Sequence, residues 1–218
     1  MIKIERTETY GWEAAIRGMR NPKNSWDKSD TAFYCYPQDG VAHKIGDNDM
    51  KLMRTLANAG PVHGKYLRMI TVTCDITAPL YWWKEMDTYK VGTVADSCST
   101  MHKLASRPLT PDDFSHEHLL DSAGLHGGPL SVLKGTIAEI NYWREIFVKS
   151  KDKEAWWQMI QLLPSSYNQR RTWQASYAVL KNIYEYRKDH KLDEWHTFCD
   201  WIDGLPYSEL ITGEAKYR

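Results

Sequence analysis

Residues 66–76 alternate strictly enough to constrain most of what this chain can become. Tyr66, Arg68, Ile70, Val72, Cys74 and Ile76 fall on one side, and Leu67, Met69, Thr71, Thr73 and Asp75 on the other. Side chains two apart share a face only in an extended strand, so the run predicts a long strand with one side against a core. It leads into Ala78-Pro79, after which Leu80, Trp83 and Met86 or Asp87 recur at helical spacing. Pro79 suits the first turn of that helix, where its missing N–H costs no hydrogen bond. Gly92 and the β-branched residues around it end the helix near Lys90.

The remaining elements arrange themselves around this pair. A short strand at residues 2–4 precedes a helix carrying Trp12, Ala15, Ile16 and Met19 three and four apart. Residues 21–46, rich in Pro, Asn, Asp and Tyr, predict a long irregular connection, and connections of that length often cover a site. Asp47 or Asn48 can cap a helix bearing Met50, Met53 and Leu56, ended by Gly60-Pro61. Residues 105–129 form a second irregular excursion, broken by Arg107-Pro108, Thr110-Pro111 and Gly127-Gly128-Pro129. Helices then follow on Leu133, Ile137, Ile140, Arg144 and Phe147, on Trp156, Ile160 and Leu163, on Trp173, Tyr177, Leu180 and Tyr184, and on Leu192, Trp195, Cys199 and Ile202.

Composition narrows the function classes. At 218 residues and 42% hydrophobic content the chain suits one sizeable core. Lys+Arg and Asp+Glu both total 28, so no overall charge points to DNA, RNA or an anionic membrane, and any anion site must be local. No apolar run approaches the roughly 20 residues that cross a bilayer, and the charged start Ile2-Lys3-Ile4-Glu5-Arg6 is unlike a signal peptide. A cytoplasmic protein is the expectation. Cys35, Cys74, Cys98 and Cys199 lack CxxC spacing, which argues against structural zinc and against a disulfide framework.

Residues 78–103 carry the chemistry. An aromatic helix leads into a hydroxyl-rich segment bracketed by Lys90 and Lys103, a composition suited to an anionic ligand. Cys98 sits between Ser97, Ser99 and Thr100 and reads either as a thiolate activated by nearby cations or as a small packed thiol. Glu85, Asp87 and Asp96 can serve as hydrogen-bond acceptors or acids, or stay solvated. Arg187 extends an apolar helical face, so its guanidinium must meet an anion or several carbonyls, or cap its own helix. His102, His116, His118 and His126 cluster without the i,i+4 spacing of a metal site, and no metal is expected. Trp82-Trp83 and Trp156-Trp157 can stack on a ring, although core packing suits most of the 10 tryptophans.

Two blocks now stand in a telling order. The first is the strand ending Asp75-Ile76-Thr77-Ala78-Pro79, its helix and the hydroxyl-rich segment. The second is Leu163-Pro164, Arg170, Trp173, Ser176, Leu180, Arg187 and Glu194-Trp195. This layout resembles the flavin-dependent thymidylate synthases, the ThyX family, over most of the chain. The family's signature reads Arg-His-Arg, two residues, Ser, one residue, Asn, two residues, Ser, one residue, Arg. Laid on the Ala-Pro step, this chain has Thr88-Tyr89-Lys90, Thr93, Ala95, Cys98 and Thr100. Lys90 and Thr93 stay chemically close, while Thr88 and Thr100 replace arginines that in the family help hold flavin and the nucleotide phosphate. In the second block Ser176 stands for an asparagine and Ala178 for an arginine.

The resemblance implies an α+β, ThyX-like fold over residues 1–218 as one domain, with an antiparallel sheet whose long central strand packs against several helices. It implies a homotetramer with sites shared between subunits, FAD as cofactor, and methyl transfer to dUMP using NADPH and methylenetetrahydrofolate. By the same carry-over Tyr89, Lys90, Thr93 and Ser176 are cofactor-binding, and Glu85, Asp96, Cys98, Ser99, Arg170 and Arg187 are substrate-binding. Cys98 is the candidate catalytic residue. The rewritten signature leads to an expectation of altered or lost activity. The other reading is a non-catalytic oligomeric interaction or structural protein that reuses the fold.

Overall fold

The computed structural model describes residues 2–36 and 40–213. In chain order the elements are β1 (Lys3–Tyr10), α1 (Trp12–Arg20), β2 (Ala32–Tyr36), β3 (Gly40–Lys44), α2 (Asp47–Asn58), β4 (Thr71–Pro79), α3 (Leu80–Met86), β5 (Thr93–Ser97), α4 (Thr100–Lys103), α5 (Pro129–Ser150), α6 (Lys153–Leu162), β6 (Asn168–Ser176), α7 (Tyr177–Arg187), α8 (Asp193–Asp203) and α9 (Glu209–Thr212). β1, β4, β6 and β5 lie side by side in that order in one antiparallel sheet, which packs against helices, and β2 and β3 form a separate antiparallel hairpin. The class is α+β, with the long β4 and β6 in the middle of the sheet.

β4 obeys its sequence pattern. Val72, Cys74, Ile76 and Ala78 are fully buried, while Thr71, Thr73, Asp75 and Thr77 are half-buried on the other face. The strand nevertheless differs from the expected 66–76 at both ends. Residues Gly64–Arg68 form a 3-10 turn in which the neighbours Tyr66 and Leu67 are both buried, a placement that alternation forbids, and the Tyr66 hydroxyl donates to Met53 O at 2.8 Å. Pro79 is the last strand residue and the N-cap of α3 rather than part of its first turn, with φ −67° and ψ 150°.

Other expectations shift similarly. β1 extends well past Ile4. The irregular 21–46 stretch holds two 3-10 turns and the β2–β3 hairpin, with residues 37–39 and the Cys35 side chain outside the described part. α2 is capped neither by Asp47 nor by Asn48. Its N-cap is Gly46, and the Asp30 carboxylate reaches in from the preceding loop to accept from Asn48 N at 2.8 Å and Asp49 N at 3.0 Å. A Cβ on Gly46 would fall 2.2 Å from Asp30 Cγ, so the cap requires glycine. Trp173 and Ser176 belong to β6, not to the helix that follows, and residues 93–97 are a strand.

The chain packs as two compact units. The first comprises Met1–Lys3, Asp75–Thr88 and Ala95–Thr172, and the second Ile4–Cys74, Tyr89–Val94 and Trp173–Arg218. In the first, Leu133, Ile137 and Ile140 of α5 close on Met159 of α6 and on Leu104, Leu109 and Phe114. The 105–129 excursion therefore contributes to the core. In the second, α7 presents Tyr177, Leu180 and Ile183, fully buried along with Trp195, Phe198 and Ile202 of α8.

One buried ion pair organises the second unit. Arg20 Nε meets Asp49 Oδ1 at 2.6 Å, with side-chain exposures of 5% and 0%. Arg20 Nη1 and Nη2 donate to Ser25 O and Lys28 O, and Asp49 Oδ2 accepts from Ser29 Oγ, Asp30 N, Thr31 N and Thr31 Oγ1. A buried charge pair persists only when its remaining donors and acceptors are met in this way.

Candidate functional site

The residues singled out by sequence divide between the two units. In the first, Asp75 on β4 is the anchor. Its Oδ2 accepts from Arg170 Nη2 at 2.5 Å and its Oδ1 from Thr172 Oγ1 at 2.6 Å. Arg170 and Thr172 lie two apart on one face of β6, which is why one carboxylate holds both. Asp75 is 12% exposed and Arg170 47%, so the carboxylate is sheltered while the guanidinium meets solvent.

Arg171 points to the opposite face of β6. Its Cζ lies 4.2 Å from the centroid of the Trp83 ring, Nη1 meets Asp87 Oδ1 at 2.7 Å and Nε donates to Gln169 Oε1 at 3.0 Å. Trp83 Nε1 donates to Gln169 O at 2.9 Å, so ring and strand are locked together. Trp82 and Trp83 are buried and edge-to-face at 5.0 Å, a packing role rather than an open platform. No local sequence pattern marks this cluster, because Asp87 lies 84 residues from Arg171.

Cys98 follows β5, whose exposed residues include Asp96. Cys98 N donates to Arg170 O at 2.9 Å, and Cys98 O accepts from Gln169 Nε2 at 2.9 Å. Both backbone groups are thus fixed, and the residue is exposed rather than packed as a small hydrophobe. Ser99 is the N-cap of α4, its Oγ accepting from His102 N. Glu85 is half-buried, and its carbonyl accepts from Thr88 N and Thr88 Oγ1 at the end of α3. Thr88 therefore helps terminate α3 with both its backbone and its side chain. Among the described residues no group of three or more His, Cys, Asp or Glu could hold a metal ion.

In the second unit the site is built around Arg187. This last residue of α7 donates from Nε to the Tyr89 hydroxyl at 2.8 Å, and its Cζ lies 4.6 Å from the Trp195 ring centroid and 5.4 Å from that of Tyr89. Tyr89 and Trp195 meet edge to face at 6.2 Å. The guanidinium thus rests in an aromatic corner, the favourable arrangement for a partly desolvated cation. The sequence expectations for Arg187, an anion, several carbonyls or its own helix end, did not include this ring pair.

Tyr89 is itself held. Thr93 Oγ1 donates to Tyr89 O at 2.7 Å across a turn whose Gly92 takes φ +81°, a conformation that costs other residues energy. Ser176 is the N-cap of α7, its Oγ accepting from Val179 N at 3.4 Å. Lys90 is exposed. Lys90 is thus a solvent-facing cation next to the half-buried Tyr89, whereas the Trp195 ring is fully buried and packs rather than offering a face to a ligand. A separate groove of about 320 Å³ opens on the same unit, lined by Glu13, Ile16, Arg17, Arg20, Trp26 and Ser29. None of the sequence-derived site residues lines it.

Known structures give this geometry a context. No protein-family model matches the sequence, and no curated protein does. The fold, however, is that of the ThyX proteins. Thymidylate Synthase X from Helicobacter pylori, solved with FAD and dUMP, matches with TM-score 0.70 at 15% identity over 100% of both chains. A further flavin-dependent thymidylate synthase structure from Helicobacter pylori, complexed with FAD and dUMP, matches with TM-score 0.66 at 16% identity over 95% of this chain and 96% of that one. The UMP/dUMP methylase PolB from Streptomyces cacaoi, bound with 5-Br dUMP, matches with TM-score 0.63 at 14% identity over 98% and 95%. At such identities the shared property is the fold.

Proposed function

We propose that this chain binds a pyrimidine nucleotide, dUMP in the first instance, together with FAD, at sites shared between copies of a homo-oligomer, a tetramer by resemblance. The reading takes its methyl-transfer chemistry to be altered or lost. The observation that carries it is Arg187 set in the Tyr89–Trp195 corner, on a fold whose relatives were solved with dUMP and FAD. Lys90, Thr93 and Ser176 would contribute to holding FAD, and Arg170 and Arg187 to holding the nucleotide, with Glu85, Asp96, Cys98 and Ser99 on the substrate side. Bound FAD would supply the electrons for methyl transfer, with NADPH as reductant and methylenetetrahydrofolate as carbon donor. The chain's own residues supply orientation and charge. Thr88 and Thr100 take the place of two signature arginines, and a threonine hydroxyl does not replace a bidentate guanidinium at a phosphate.

Thermal unfolding with and without dUMP and FAD tests the binding. A ligand at 100 times its Kd stabilises by about 2.7 kcal/mol, which moves the midpoint of a chain this size by roughly 5–10 °C. A colourless protein whose midpoint neither ligand moves would sink the reading. Thymidylate formation from dUMP, NADPH and methylenetetrahydrofolate at an ordinary enzymatic turnover of about 10 per second would overturn the altered-activity part.

A second reading, a non-catalytic oligomeric platform, draws on exposed apolar side chains in the first unit. Val132, Tyr142 and Val148 of α5 are 41–58% exposed, and Trp157 and Leu162 of α6 about as open. It predicts a stable oligomer by sedimentation with no response to dUMP or FAD. No helix of the described residues is long and apolar enough to cross a membrane.

A further inference from the structure

We propose that the groove on α1 is a binding site for a small ligand joining a flat ring to one carboxylate, separate from the residues that would hold nucleotide or flavin. The groove lies within the second unit and measures about 320 Å³, at the lower end of small-molecule sites, so it suits one ring and a short acidic group. Glu13, Ile16, Arg17 and Arg20 recur three and four apart, which sets them on one face of α1, and Trp26 and Ser29 come from the loop that follows. Arg20, only 4% exposed, organises that loop. Of its five N–H groups, three have acceptors among the described residues: Nε on Asp49 Oδ1 at 2.6 Å, Nη1 on Ser25 O at 3.1 Å and Nη2 on Lys28 O at 3.0 Å. One N–H on each of Nη1 and Nη2 is left, and their use by a ligand leaves the pair with Asp49 intact.

The other lining residues define the ligand. Trp26 is 50% exposed, yet its Nε1 donates to Asn21 Oδ1 at 2.8 Å, so the indole is held beside the helix instead of swinging in solvent. A flat ring can rest against this indole and the buried Ile16. Arg17 supplies the second guanidinium. Its ionic partner among the described residues is Glu13 at 3.6 Å, with side-chain exposures of 64% and 69%, a separation beyond a hydrogen bond and a pair that water screens. An arriving carboxylate can replace Glu13 there, and guanidinium groups match its planar geometry. Glu13 also limits the charge of the ligand. A carboxylate brings one negative charge, whereas a phosphate brings about twice that and meets stronger repulsion in so small a space.

Benzoate serves as the probe. In proton–nitrogen spectra of the intact protein, the Trp26 indole N–H signal, assigned by its loss in Trp26→Leu, should shift saturably with benzoate at a Kd of about 1 mM, ordinary for a ligand this small. Arg17→Met should weaken binding about tenfold, as expected for one lost hydrogen bond to a charged group. Because Arg17 is largely exposed, that variant should melt within about 2 °C of the parent. Glu13→Gln, which removes a like charge beside the carboxylate, should tighten binding about threefold. No saturable shift up to about 20 mM benzoate overturns the site, as does unchanged affinity in Arg17→Met. Tighter binding of benzamidine, the same ring bearing a cation, overturns the preference for an anion. Addition of dUMP should leave benzoate in place, and its displacement would put benzoate at the nucleotide residues and overturn a separate site.

Discussion

Two arginine–aspartate pairs of similar length serve opposite ends. Arg20–Asp49, in the second unit, spans 2.6 Å with side-chain exposures of 5% and 0%, and Arg170–Asp75, in the first, spans 2.5 Å with 47% and 12%. The ionic chemistry is the same. In the sealed pair every guanidinium nitrogen has an acceptor, and the carboxylate gathers donors from Ser29, Asp30 and Thr31 besides Arg20. The carboxylate is fully enclosed, and the pair ties α1 to α2 through the loop after α1. In the open pair the carboxylate is sheltered and the arginine faces water, so an incoming anion can contest it. Burial, rather than the identity of the ions, separates a structural pair from one available for binding.

The sharpest way to break this contrast is to delete one partner of the sealed pair. Asp49→Ala leaves a buried guanidinium without its counter-charge and should cost about 3–5 kcal/mol of unfolding free energy, measured by urea denaturation. A loss below about 1 kcal/mol would show that the pair is not structural. Proton linkage gives a second handle. Burial works to raise the Asp49 carboxyl, but hydrogen bonds from Thr31, Ser29 and Arg20, with the charge of Arg20, hold it below the usual carboxylate range. The folded state therefore binds this proton more weakly than the unfolded chain. Its contribution is fully present above an unfolded value of about 4 and is lost as pH falls through the lower folded value. Asp49→Asn should flatten that part of the acid limb.

The sealed pair also marks where sequence reasoning runs short. Part of the pattern was readable: the inner face of β4 from Val72 to Ile76, and most helices. What failed depends on partners far along the chain. Tyr66 bonds to Met53 O, which favours a 3-10 turn over the alternation that residues 66–68 mimic. Trp173, Tyr177 and Leu180 are spaced like a helix, yet Trp173 is claimed by a strand whose polar run Gln169-Arg170-Arg171 gives no apolar alternation. The Tyr89–Arg187 bond joins residues 98 apart, and no local period records such a contact.

A smaller effect tests the open pair. Asp75→Asn removes the charge that competes for Arg170 while keeping an acceptor for Thr172. Because Arg170 is about half-exposed, stability should change by no more than about 1 kcal/mol. Affinity for dUMP should rise about fivefold, the equivalent of roughly 1 kcal/mol, as expected for removing a like charge near a solvated anion site. Unchanged dUMP affinity would mean that Arg170 is as structural as Arg20, and the contrast between the pairs would collapse.

The smallest expected effect on stability concerns the thiols, where burial again makes the division. Burial pushes the Cys199 thiol up to about 12, with the nearby carboxylates of Asp203, Asp200 and Asp189 adding to the shift. Cys98 is exposed beside the open pair, its backbone fixed by Arg170 and Gln169. Alkylation of the native protein with iodoacetamide, followed by peptide mapping, should modify Cys98 well ahead of Cys199, and Cys98→Ser should stay within about 0.5 kcal/mol of the parent. If dUMP slows modification of Cys98, the thiol lies beside the bound nucleotide on the same face as Arg170. If it does not, Cys98 marks only the exposed edge of β5, and the anion site must be sought around Arg187 instead.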